Sequence, residues 1–233
     1  MKSRAHSPLG KIIFITGTDT GVGKTIFTSL FVYHLRLSGV HALAMKPFCS
    51  GGRGDVRLLR AMQDAELTAD EINPFFFPEP VAPLVSARQH RRRISLNEVI
   101  QRIERIARQC ECLLVEGSGG LMVPLAGNYF VSDVIQRLKC EVILVSRNQL
   151  GTINHTLLTA NALKRFGVEN ISVALMGTSK KDASVEKNGV VLRQFLGKVP
   201  VHEIIFLGQN PNKSGVLKKS HKKVKKTLAR MYR

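Results

Sequence analysis

The stretch Gly17-Thr18-Asp19-Thr20-Gly21-Val22-Gly23-Lys24-Thr25 constrains this chain more than any other. It follows the apolar run Ile12-Ile13-Phe14-Ile15 and leads into an apolar-periodic stretch over 26–37. Strand, glycine-rich turn and helix together form the context of a phosphate cradle. Backbone N–H groups and the helix start face an anion, Lys24 adds a point charge, and the Thr25 hydroxyl suits Mg²⁺. Five positions before Gly23 stands Thr18, with the glycine one step earlier at Gly17, so the loop is one residue longer than the usual pattern. Its identity therefore rests on the residues around it.

Strand-like and helix-like segments alternate along the chain. Residues 11–16, 40–45, 112–115, 141–145, 170–175 and 199–206 read as strands, several of them short continuous apolar runs suited to burial on both faces. Residues 25–38, 55–63, 95–110, 151–166 and 184–196 read as helices; Gly39 marks one stop, and Ser95 with Glu98 forms a capping box. Residues 73–83, dominated by Phe and Pro, read as a loop or irregular edge. The pattern predicts an α/β fold: a single P-loop domain, with a mostly parallel central sheet flanked by helices on both faces. In such sheets ligands sit at the carboxyl ends of the strands.

The chain's 233 residues suit one domain. Its apolar runs fall short of the ~20 residues a bilayer span needs, and residues 1–8 are basic without a cleavable apolar segment. A cytosolic protein with no membrane partner is expected. The cysteines Cys49, Cys110, Cys112 and Cys140 match no metal framework and read as buried thiols, with Cys49 beside candidate site residues. Thirty-five Lys and Arg against 17 Asp and Glu give a formal charge of +18. Much of that excess lies beyond residue 212, which carries nine cations and no acid, and in Arg88-Gln89-His90-Arg91-Arg92-Arg93. The chain therefore divides into a catalytic domain over 1–212 and a basic tail over 213–233. Removal of that tail is expected to leave catalysis intact. Few aromatics accompany these cations, so nucleic acid is not expected as a specific partner.

Four strand ends carry residues suited to chemistry. The first is the P-loop itself, where Thr20, Gly21, Val22, Gly23, Lys24 and Thr25 are the nucleotide-contacting candidates. After the second strand come Lys46-Pro47-Phe48-Cys49-Ser50-Gly51 and then Asp55. After the third come Glu116-Gly117-Ser118-Gly119-Gly120, and after the fourth Gly151-Thr152-Ile153-Asn154 at a helix start. Asp55, Glu116 and the Thr25 hydroxyl offer the hard oxygens that Mg²⁺ prefers, although Asp55 also suits a helix N-cap. Lys46 can complement a developing anion and Ser50 can orient a polar substrate. The free N–H groups over 151–154 suit a carboxylate, although Asn154 equally suits a cap.

Taken in order, these segments resemble the dethiobiotin synthetase family. The resemblance rests on the nine-residue loop, on Lys46-Pro47-x-x-Ser50-Gly51 and on Asp55. It continues through Glu79-Pro80-Val81-Ala82-Pro83, Val115-Glu116-Gly117-x-Gly119-Gly120 and Leu150-Gly151-Thr152-Ile153-Asn154-His155-Thr156. It implies an ATP- and Mg²⁺-dependent enzyme that joins CO₂ to 7,8-diaminononanoate (7,8-diaminopelargonate) and closes the ureido ring. The steps it implies run through a carbamate and a carbamic-phosphoric anhydride. Lys24 and Lys46 are then the catalytic lysines, and Thr25, Asp55 and Glu116 hold Mg²⁺. Thr20, Lys46 and Ser50 contact substrate, while Glu116, Gly117, Gly119 and Gly177 join the P-loop around the nucleotide. The resemblance further implies a homodimer in which residues 151–154 bind the substrate carboxylate of the partner subunit's site.

At Gly177 the family commonly has an Asn that reads adenine, so loose nucleotide selectivity is expected here. Two other classes compete. Partition- or septum-site-type ATPases share the sheet and the deviant loop and act on DNA or membrane surfaces. Their loop carries a signature lysine four residues before the glycine at 23, where this chain has Asp19. The Lys46-to-Gly51 motif also has no role in that class. A non-enzymatic nucleic-acid binder would bind without ATP and lose affinity steeply with salt.

Overall fold

The computed structural model describes residues 9–179 and 183–232. The basic start over residues 1–8 lies outside these. Eight strands and nine helices are described. β1 (Lys11–Gly17) leads into α1 (Lys24–Leu37), then β2 (Ala42–Met45), β3 (Phe48–Ser50), α2 (Gly54–Met62), α3 (Ala69–Ile72), β4 (Phe75–Phe77) and α4 (Pro83–Gln89). α5 (Leu96–Ala107), β5 (Cys112–Glu116), α6 (Val131–Leu138), β6 (Glu141–Arg147), α7 (Thr152–Arg165), β7 (Ile171–Met176), α8 (Val185–Leu196), β8 (Val201–Ile204) and α9 (Ser214–Ala229) complete the chain.

Six strands form one parallel sheet in the order β2-β5-β1-β6-β7-β8. The central strands are buried along nearly their whole length, as sheets covered on both faces require. Register matters for function. Met45 pairs with Val115 and Ile15 with Glu116, so the ends of β2, β5 and β1 stand side by side. The residues after three strands far apart in sequence thus open onto one place.

The Phe- and Pro-rich stretch over 73–83, expected as a loop or irregular edge, contains β4, which pairs in parallel with β3 through Phe48↔Phe75 and Ser50↔Phe77. Phe75 and Phe77 are buried, and Phe48 stacks on Phe75 at 4.9 Å between centroids. Aromatic burial holds this small sheet beyond the reach of a two-residue alternation, so its sequence reads as irregular. Pro83 at the first position of α4 is where proline is tolerated in a helix. Ser95 caps α5, its hydroxyl accepting from the Glu98 N–H at 3.1 Å, without the return bond from Glu98 that would complete the expected capping box among the described residues.

The segment beyond 212 departs from expectation. Rather than a solvated tail it forms α9, whose Leu217, Val224 and Leu228 are buried against the core. The helix lies on α1 and reaches α2 and β8. His221 Nε2 meets His34 Nδ1 of α1 at 2.9 Å, and Lys218 sits over the Tyr33 ring. Burial holds both imidazoles below their usual range, so the two neutral rings are joined by one hydrogen bond. Charge density masked an apolar stripe at positions 217, 224 and 228, which is helical spacing.

Burying three such side chains stabilises by about 1.5–3 kcal/mol each, a sum comparable with the ~5–15 kcal/mol of a whole domain. Deleting 213–233 is therefore expected to give an aggregating or unfolded product. Leu228→Ala should lower stability by about 2–5 kcal/mol in urea denaturation. A truncated protein melting within a few degrees of the intact chain would contradict this placement.

Candidate active site

The P-loop leaves β1 after Gly17 and enters α1 at Lys24 through Gly23, whose φ of 103° suits glycine. Lys24 is buried, and its Nζ donates to the Asp19 carbonyl at 2.8 Å. Burial drives its pKa down; Glu116 opposes that and Lys46 adds to it, leaving Lys24 at about 8. Such an ammonium holds a bound phosphate while protonated and lets go as it neutralises.

Lys46, Asp55, Glu116 and Thr25 meet beside it. Glu116 at the end of β5 is fully buried. Its Oε1 accepts from Lys46 Nζ at 2.9 Å and from the Thr25 hydroxyl at 2.6 Å, while its Oε2 is buried without a hydrogen-bond partner among the described residues. Lys46 also donates to Asp55 and, at 3.4 Å, to Thr25 Oγ1. Burial alone would lower the Lys46 pKa, but the two carboxylates outweigh it and hold the ammonium protonated well above its usual range. Burial would likewise raise Asp55, and Lys46 overrides it to hold the carboxylate ionised. Asp55 is the second residue of α2, whose N-cap is Arg53, so it is no cap; its charge faces the positive end of the helix.

A cavity of about 690 Å³ opens over this cluster, lined by Thr20, Gly21, Gly23, Lys24, Thr25, Lys46, Asp55, Glu116 and Gly119. An adjoining cavity of about 540 Å³ is lined by Gly21, Val22, Gly23, Arg147, Met176, Gly177, Phe206 and Leu207. The two share Gly21 and Gly23, so one cavity continues the other around the P-loop.

Most of the residues singled out from sequence thus converge. Gly117 sits behind the site: a Cβ there would fall 2.9 Å from the Phe14 ring. Ser50 ends β3, and its hydroxyl is buried with no partner among the described residues. Gly51 backs directly onto Pro80, within 2.8 Å for an added Cβ, which places the Glu79-to-Pro83 motif against Ser50. Glu79 itself accepts from Ser86 and meets His90 at 2.9 Å, a brace between this loop and α4.

Residues 151–154 do not join the two cavities within this chain. Gly151 caps α7 at φ 90°, so Asn154 is not the cap. Thr152 Oγ1 turns inward to Ser146 Oγ at 2.6 Å. Asn154 is exposed, and beside it Leu150 and Leu158 stand 80% and 62% exposed. The start of α7 thus carries an exposed apolar rim.

Sequence reasoning missed Arg147, Phe206 and Leu207. Arg147 ends β6 and donates to the Gly21 carbonyl at 2.6 Å, clamping the loop. Its signal was its place: a charged residue directly after the buried run 142–146. Cys49 is buried with its thiol on the Gly52 carbonyl at 3.1 Å, and burial raises its pKa, so it is no nucleophile.

A family model described as an AAA domain matches residues 11–206. An ATP-dependent dethiobiotin synthetase of Bacillus licheniformis is 39% identical over 80% of this chain and 82% of its own length. The Bacillus subtilis strain 168 protein of that name is 36% identical over 89% and 90%, and that of Akkermansia muciniphila 36% over 82% and 90%. The chain belongs to the ATP-dependent dethiobiotin synthetase family. Solved structures resemble it in fold alone. A ParA family ATPase of Chlorobium tepidum matches with a TM-score of 0.60 at 17% identity, covering 95% of this chain and 97% of that one. The MinC:MinD cell division complex of Aquifex aeolicus gives 0.64 at 15%, covering 95% of each.

ATP affinity should report the Lys24 ammonium. The apparent Kd is expected to hold steady up to about pH 7.5 and then to rise toward tenfold per pH unit above about 8, as the free lysine loses its proton. Isothermal titration across pH 7–10 measures this. Lys24→Ala should bind weakly with no such rise; a rise that persists in this variant would assign the titration elsewhere.

Proposed function

We propose that this synthetase closes the ureido ring of dethiobiotin from 7,8-diaminononanoate and CO₂ in the cytosol, turning ATP into ADP and phosphate. The observation that carries the proposal is Lys46 held between Asp55 and Glu116 beside the P-loop lysine. Membership of the family supplies the substrate. One amine of the substrate adds to CO₂ and loses a proton, giving a carbamate. The carbamate oxygen attacks the γ-phosphorus, ADP departs, and a carbamic-phosphoric anhydride forms. The second amine then attacks the carbamoyl carbon, closing the ring as phosphate leaves.

No step needs a protein nucleophile. Catalysis therefore rests on position and charge. Lys46, kept protonated by two carboxylates, faces the carbamate and the transferring phosphoryl group, and Lys24 holds the phosphates. Thr20 lines the main cavity and Ser50, with its unspent buried hydroxyl, stands behind it; both serve the substrate amines. The Thr25 hydroxyl, Asp55 and the unpaired Oε2 of Glu116 fit Mg²⁺, which takes one or two carboxylates together with phosphate oxygens and water. When bound, Mg²⁺ neutralises charge on the phosphate oxygens. Residues 151–154 lie outside this chain's own cavities, which supports a homodimer whose α7 start receives the substrate carboxylate in the partner subunit's site.

ATP-dependent incorporation of labelled bicarbonate into acid-stable product, with 7,8-diaminononanoate, tests the proposal. Lys46→Ala and Glu116→Ala should each lower it at least about 100-fold, the scale of losing one stabilising donor. No incorporation by the intact protein, with ATP hydrolysis stimulated instead by DNA or lipid, would favour the partition-type ATPase.

Selectivity for the base is expected to be loose. A Cβ on Gly177 would lie 2.6 Å from the Phe206 amide nitrogen, so the close pass of residues 204–206 keeps an Asn side chain out. Apolar Met176, Phe206 and Leu207 line that cavity instead, and apolar contacts discriminate poorly between bases. CTP and GTP should support rates within about tenfold of ATP; rates a thousandfold lower would show that backbone groups alone read adenine.

A further inference from the structure

We infer that the outer face of α9 is a docking surface for the phosphate backbone of a nucleic-acid duplex, bound without regard to base sequence. At 3.6 residues per turn, Lys219, Lys222, Lys223, Lys226 and Arg230 fall within about 100° of arc, directly opposite the buried Leu217, Val224 and Leu228. All five are exposed, and none is in an ion pair among the described residues. No Asp or Glu follows Glu203 in the chain, so nothing nearby on this element neutralises them. Simple solubility needs no such alignment, and surfaces that serve it intersperse both signs.

The geometry selects the partner. The row runs from Lys219 to Arg230, eleven steps or about 16 Å at 1.5 Å per residue. One strand of a duplex carries a charge every ~3.4 Å of axis, so about five phosphates lie along that length, one for each cation. Four of the five are lysines, point charges on flexible stems that suit phosphates and lack the planar fork used to read bases. No aromatic side chain lies on this face, which removes single-strand stacking. An anionic membrane fits less well. The apolar side chains a surface helix would insert into lipid are already spent on the core.

Fluorescence anisotropy with 20-base-pair duplexes of two unrelated sequences, from 50 to 300 mM KCl, tests this on the full-length protein. Both duplexes should bind alike, and log K against log salt should have a slope near −4.5, or about −0.9 for each of five phosphates. That is a loss of about 500-fold between 50 and 200 mM. The K219Q/K222Q/K223Q/K226Q protein should lose about 3.6 of that slope while its melting temperature and bicarbonate incorporation stay unchanged. Should four changes disturb folding, the single Lys222→Gln and Lys226→Gln proteins should each lose about 0.9. The R88Q/R91Q/R93Q protein is the control and should keep the full slope. A loss shared between the lysine and arginine sets would show diffuse attraction by net charge and overturn the proposal. Tighter binding to phosphatidylserine vesicles than to duplex, at equal anionic charge, would overturn it too.

Discussion

A buried carboxylate with one cation to answer it holds this site together. Glu116 is fully buried, and isolating such a charge costs several kcal/mol after relaxation. Lys46 answers it from the neighbouring strand, and the Thr25 hydroxyl answers it from the head of α1. Because Met45 pairs with Val115, and Ile15 with Glu116, the sheet's register puts these partners in reach before any side chain turns. A slip of one residue would send Glu116 to the opposite face and leave Lys46 with Asp55 alone. The fold and the site therefore depend on the same register.

That dependence explains how Lys46 and Lys24 differ although they stand in one cavity. Lys46 is hydrogen-bonded to two carboxylates that outweigh its burial and keep it charged; Lys24 donates to a carbonyl, has no carboxylate bonded to it to offset its burial, and sits near 8. A permanent cation suits a group that must meet charge as it develops. A softened cation suits one that must bind and release a nucleotide in each turnover.

The P-loop, the six strands of the sheet and the strand-end residues were legible because each is local. Glycine spacing, a continuous apolar run and the residue that follows it all lie within a few positions. Ser95 at the head of α5 belongs to the same class, since its bond to the Glu98 N–H spans three residues. β4 was not legible, since Phe75 and Phe77 read as strand only once Phe48 lies beside them. Arg147 was missed for a similar reason: its partner is a carbonyl 126 residues away. α9 failed differently. Its apolar stripe is present in the sequence, but lysines outnumber it and hide its period.

α9 shows how one helix can answer to two solvents. Its inner stripe completes the cover of α1, the helix that begins with the P-loop, while Ser214 at its start lines the cavity over Lys24 and Lys46. The outer stripe carries charge that packing does not need, and its like-charge neighbours three and four residues apart cost only a few tenths of a kcal/mol per pair at an exposed face. The inner face fixes the orientation of the outer one. A row of cations on a mobile tail would lose conformational entropy on meeting a partner, whereas a row on a docked helix has already been ordered by folding. Burial of Leu217, Val224 and Leu228 therefore both steadies α1 and orders the charged surface on the other side of α9.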